Sequence, residues 1–81
     1  MPQHHGARVN LANALWSLGK LDAAEREADR ARTDRPDSAE AWMVTGAIRL
    51  DRGDARGAIA AYGQAVALTT GQGTAAELPA T

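Results

Sequence analysis

Eighty-one residues with a net charge of −1 and no cysteine can form one small domain, without a disulfide framework, a thiolate metal site or a concentrated basic face for nucleic acid. A chain this short buries only about 60% of its unfolded surface. It has no phenylalanine, so its core must come from Leu, Val, Ile, the two tryptophans and many alanine methyls, and the helices must approach closely to use it. No run is long and apolar enough to span a membrane, and the N-terminal stretch is polar with no apolar signal segment, which makes the cytoplasm the default expectation.

Residues 1–5 hold Pro2, His4 and His5 and read as a frayed end. Adjacent histidines point in different directions on a helix or strand, and no carboxylate or third histidine lies nearby to complete a metal site. An exposed terminus is the simpler reading, and neither metal nor cofactor is expected.

Over residues 7–18, Leu11, Leu15 and Leu18 recur at spacings of four and three beside Val9, Ala12 and Trp16, which predicts a helix. Gly19 is placed to take the left-handed conformation that ends it. A second helix is expected from Leu21 or Asp22 to about Arg32, with Leu21, Ala24, Ala28 and Ala31 on one stripe. Asp22, Glu25, Arg26 and Asp29 face the other way, Asp22 and Arg26 at the spacing that pairs opposite charges. The charged run 25–35 reads more simply as a solvated face than as an interaction patch.

Pro36 closes this section and forces Arg35 toward an extended conformation. Asp37 or Ser38 offers an N-cap for a third helix to about Asp51, with Glu40 close to the place of a capping-box carboxylate. A second break, 51–54, carries Gly53, and Asp54 caps a fourth helix from Ala55 to about Leu68. Residues 71–81 have too little apolar content to hold a fixed structure, and a disordered tail is expected there.

Sliding the chain on itself by 34 residues brings Ala7 onto Ala41, Gly19 onto Gly53, Ala24 onto Ala58 and Ala31 onto Ala65. Each pair falls where a helical hairpin is sterically particular: the glycines at turns, Ala24 and Ala58 at the closest helix approach. Trp42 and Gly46 lie one turn apart, while Ala58, Tyr62 and Ala65 share one stripe of the fourth helix. With Pro36 closing the first unit, the chain resembles the tetratricopeptide repeat family over residues 5–70.

The resemblance implies an all-α fold of antiparallel helix-turn-helix repeats, an α-solenoid fragment of four helices. Its first repeat, 6–37, is degenerate: Arg8 holds the aromatic position, Ala12 the glycine position and Ala28 the second-helix aromatic. The second, 38–70, matches better, though Thr70 stands at the closing proline and Thr45 at a usual leucine.

The implied function is protein–protein interaction, a scaffold segment binding a peptide or helix of a partner and no enzyme. In similar proteins the first helix of each repeat lines a concave groove. Carried over by position, the candidates are Val9, Asn13, Trp16 and Ser17 from the first helix and Glu40, Met43, Ala47, Leu50 and Asp51 from the third. Some family members clamp a terminal carboxylate; Asn13 matches one such position, but Val9 stands where a cation is needed and Ala47 where a second asparagine is needed. A groove of Val9, Trp16, Met43 and Leu50 suits an apolar helix or extended segment instead, although Trp16 at helical spacing is as readily a packed residue. No nucleophile has a plausible base and no Gly-rich phosphate loop is present, which argues against catalysis, as mixed charges over 22–35 argue against nucleic acid.

Residues 58–68 carry no charge, and Ile59 and Val66 lie off the Ala58, Tyr62, Ala65 stripe. A helix that is apolar all round expects cover on more than one side. Neighbouring repeats of a longer chain would supply it, or a homo-oligomer would, through Ile59, Tyr62, Val66 and Leu68. That second option makes the chain a structural self-association element. In the third, an alanine-rich surface is mild enough to need no cover.

Overall fold

The computed structural model describes residues 3–70, and side chains from His5 onward. Four helices follow one another: α1 (Gln3–Ser17), α2 (Leu21–Asp34), α3 (Ala39–Asp51) and α4 (Ala55–Thr69). The described residues contain no strand. None of these helices is long and apolar enough to cross a membrane. The expected tail, 71–81, lies outside the described residues.

The two hairpin turns share one construction. After α1, the Gly19 N–H donates to the Trp16 carbonyl and the Lys20 N–H to the Leu15 carbonyl, both at 2.9 Å. After α3, Gly53 donates to Leu50 at 3.0 Å and Asp54 to Arg49 at 2.8 Å. This crossed pair of bonds satisfies carbonyls that a helix end leaves orphaned, and it requires a left-handed residue at the turn. Gly19 and Gly53 supply it, at φ 78° and 83°. Glycine adopts that conformation without the Cβ penalty other residues meet.

The caps follow the sequence in part. The Ser38 side chain accepts from the Ala41 N–H at 3.2 Å, and Asp54 accepts from the Gly57 N–H at 2.9 Å. Glu40 stands one position short of the place from which a carboxylate could bond back to the cap. Lys20 precedes α2 with no side-chain cap at all.

Alanines do the packing that the composition demanded. Ala12, Ala24 and Ala28 close on Val44 and Ile48, with Leu15 and Trp16 laid against them. A second cluster joins Val9, Ala31 and Ala41. The close approach is tightest between α3 and α4, where a Cβ on Gly46 would stand 2.8 Å from Tyr62 Cε1. Only glycine lets the tyrosine ring lie flat on α3 there.

Helix α3 is the centre of the fold. It packs on α1, α2 and α4, whereas α4 packs on α3 alone among the described helices. The joint between hairpins is polar at its edge. Arg52, at the C-cap of α3, reaches back to Asp22 and Glu25 of α2, and Arg32 of α2 lies over the Trp42 ring at 5.1 Å while donating to the Thr45 hydroxyl.

Two local expectations are corrected. α1 begins at Gln3, ahead of the expected start at Ala7; His5 Nε2 meets Ser38 Oγ at 2.8 Å and ties α1 to the cap of α3. Asp22 takes Arg52 as its partner, across the joint, in place of Arg26 on its own helix.

Candidate binding groove

Helices α1 and α3 stand side by side as the first helices of their hairpins, and a concavity of about 450 Å³ opens between them. That volume falls in the range of ligand pockets in general. From α1 come Val9, Asn10, Asn13 and Trp16, with Gly6 at the rim. From α3 come Glu40, Met43, Val44 and Ala47, and Tyr62 of α4 reaches in beside them.

Six of the sequence-predicted groove residues are therefore brought together: Val9, Asn13, Trp16, Glu40, Met43 and Ala47. They do not contribute alike. Val9 is buried and packs chiefly with Ala31 and Ala41, so it forms floor. Met43 projects, more than half exposed at 53%. Trp16 does two jobs, lying against the core on one side and lining the groove on the other. Its indole N–H donates to Asp51 Oδ2 at 2.7 Å, a bond from α1 to α3 that pins the tryptophan.

Three predicted residues fall outside. Ser17 and Leu50 are exposed beyond the lining, and the Asp51 carboxylate is held by Trp16 and not aimed into the concavity. Sequence reasoning missed Gly6 and Asn10. Gly6 was out of reach while α1 was expected to start at Ala7, and Asn10, inside that helix, lies one position off the 9, 13, 16 face. Tyr62 was missed as well, because it comes from a second helix and was assigned to self-association. It is half-buried over Gly46 on the groove side, and Leu68 is half-buried too. Of that group only Ile59 and Val66 stand free on the outer face of α4.

The electrostatics of the groove are simple. Among the described residues Glu40 is its sole charged lining residue, with the side-chain amides of Asn10 and Asn13 opposite. No described lysine or arginine lines it to pair with a carboxylate or phosphate. The perturbed ionisations lie elsewhere, at the joint. Arg52 holds the Asp22 carboxyl below its ordinary range, through the hydrogen bond first and its charge second, and Asp22 in turn raises Arg52. Among the described residues no three His, Cys, Asp or Glu side chains gather closely enough to hold a metal ion.

Two helical hairpins, each closed by the same glycine turn, repeated at 34 residues and stacked through a shared central helix, define an α-helical repeat protein. The family model described as Tetratricopeptide repeat matches residues 9–76, and the chain belongs to that family. No curated protein and no solved structure gives a match.

Proposed function

We propose that the groove between α1 and α3 holds an apolar segment of a partner protein, helical or extended. Tetratricopeptide repeats generally mediate protein–protein interaction and are non-catalytic modules. The observation that carries the finer reading is Met43, projecting from α3 into a concavity walled by Trp16, Ala47 and Tyr62. A flexible thioether on an apolar wall adapts to varied aliphatic side chains. Asn10 and Asn13 offer donors and acceptors that fix a backbone in place, and Glu40 favours a segment with a basic residue at that end.

The experiment is selection of binding peptides from a random display library on the full chain, followed by titration of synthetic peptides against wild type and Met43→Glu. Selected peptides are expected to share apolar residues, and Met43→Glu is expected to weaken them by about tenfold or more, the equivalent of ~1.4 kcal/mol. Peptides that bind Met43→Glu as tightly as wild type would place the binding surface somewhere other than this groove.

A further inference from the structure

The joint between α2 and α3 shows how one hairpin of this protein seats the next. Polar contacts mark its edge: Arg32 of α2 with the Thr45 hydroxyl of α3, and Asp22 and Glu25 of α2 with Arg52 at the end of α3, Glu25 Oε1 to Arg52 Nε at 2.9 Å. Moving the α2 residues forward by the 34-residue repeat leads to α4, where Glu25 becomes Ile59 and Arg32 becomes Val66. Moving the α3 residues back by the same interval leads to α1, where Thr45 becomes Leu11 and Arg52 becomes Leu18. The two outer ends of the stack thus carry the contact positions of the internal joint; at these four the polar side chain is replaced by a large aliphatic one, while Asp22 becomes Arg56.

All four are exposed: Leu11 at 46%, Leu18 at 69%, Ile59 at 70% and Val66 at 60%. Among the described residues, the only other large apolar side chains so exposed are Met43 and Leu50 of α3. Isolated aliphatics on a surface are ordinary. Four that coincide with the register of a docking joint, two on each end, form a matched pair of surfaces. Among the described residues neither end is covered, since α4 packs on α3 alone and α1 on α2 and α3.

We propose that a second copy of this chain docks its α1 onto α4 of the first, head to tail, in the arrangement that α3 takes on α2. Leu11 of the incoming copy meets Val66, and Leu18 meets Ile59. The chemistry of the seat selects α1 over α3 as occupant. An α3 placed there would set Arg52 against Ile59 and, because Asp22 becomes Arg56, without either of its carboxylates. Arg8, at the position of Trp42, brings no unpaired charge, because Glu27 and Asp34 of its own hairpin lie 3.5 Å from it. Such a contact joins two different faces, so it propagates into open stacks or rings and not into a closed symmetric dimer. Each added copy also extends the row of first helices, and with it the groove. The stacking stands whatever the groove binds.

The test uses two variants of the full chain, Ile59→Glu/Val66→Glu and Leu11→Glu/Leu18→Glu, analysed by sedimentation and light scattering with helicity measured on the same samples. Wild type is expected to rise in mass with concentration above the 8.5 kDa monomer. Each variant alone is expected to remain a helical monomer. Mixed in equal amounts, they are expected to form a dimer of twice that mass, because one retains an intact α4 face and the other an intact α1 face, while the two altered faces repel. A wild type that stays monomeric at every concentration overturns the proposal. So does a Leu11→Glu/Leu18→Glu variant that still self-associates, which would mean α4 pairing with α4, and so does a mixture of folded variants that remains monomeric.

Discussion

The two hairpins share a backbone and differ in what fills it. Their turns are superposable in construction, with Gly19 and Gly53 at nearly the same positive φ and the same crossed hydrogen bonds. At the closest approach of the helices, the first hairpin sets Ala12 near Ala28, both fully buried. The second sets Gly46 under Tyr62 at the equivalent positions. Small against small in one and nothing against a ring in the other both keep the helices close. At the outer edge, Arg8 bridges Glu27 and Asp34 where Trp42 bonds the Pro36 carbonyl at 3.1 Å. The glycine turn and a small residue on the first helix of each hairpin therefore keep the helices close, while the aromatic signature is one of two ways to fill the facing position.

The largest effect expected from this contrast is a change of sign. With Tyr62 in place, Gly46→Ala puts a methyl into the ring and is expected to destabilise the chain by about 1–2 kcal/mol, even after the helix-propensity gain. With Tyr62→Ala already made, the pair becomes that of the first hairpin, and Gly46→Ala is expected to stabilise by about 1 kcal/mol. Denaturant unfolding of the four chains in the cycle gives both numbers, and additive effects would show that the two positions do not meet.

The caps sharpen the comparison next. Lys20 and Asp54 hold matching positions with nearly the same backbone, φ −87° and ψ 72° against φ −94° and ψ 78°, yet only Asp54 caps its helix. Asp54→Ala is expected to lose about 1 kcal/mol and Lys20→Asp to gain a similar amount, since the carboxylate also sits at the positive end of α2. A thermal-unfolding comparison that finds Lys20→Asp neutral or harmful would mean the first turn is not free to accept the cap of the second.

The smallest effect lies at the exposed joint. The Asp22 pKa is lower in the folded chain than in the unfolded one, so acidification protonates the unfolded chain first. The stability that Asp22 contributes is therefore fully present above the ordinary aspartate range and is lost as the pH falls through that range toward the folded value. Asp22→Asn is expected to flatten that part of the melting temperature against pH profile slightly, and added salt is expected to weaken the wild-type effect. An unchanged acid limb would remove Asp22 from any role in the joint.

Periodicity and glycine placement were enough to read the four helices, both turns and the Ala58, Tyr62, Ala65 stripe, because each depends on residues close in sequence or related by the repeat. The departures all involve contacts that span hairpins. His5 near the start of α1 finds Ser38; Asp22 finds Arg52 and not Arg26; Asp51 is taken by Trp16 and leaves the groove. Helical spacing places a side chain on a face but not against a partner on another element. For the same reason Tyr62 was legible as a packing residue and not as part of the groove wall.

Among the described residues α3 is the one helix enclosed by the others, and the outer faces of α1 and α4 are open. Amide hydrogen exchange in dilute solution reads this directly. Amides over 44–48, around buried Val44, Thr45 and Ile48, are expected to exchange slowest, while those over 59–66 of α4 exchange by easier local opening. Equal protection of α3 and α4 in a chain shown to be monomeric would contradict it, because α4 would then have cover that this arrangement does not provide.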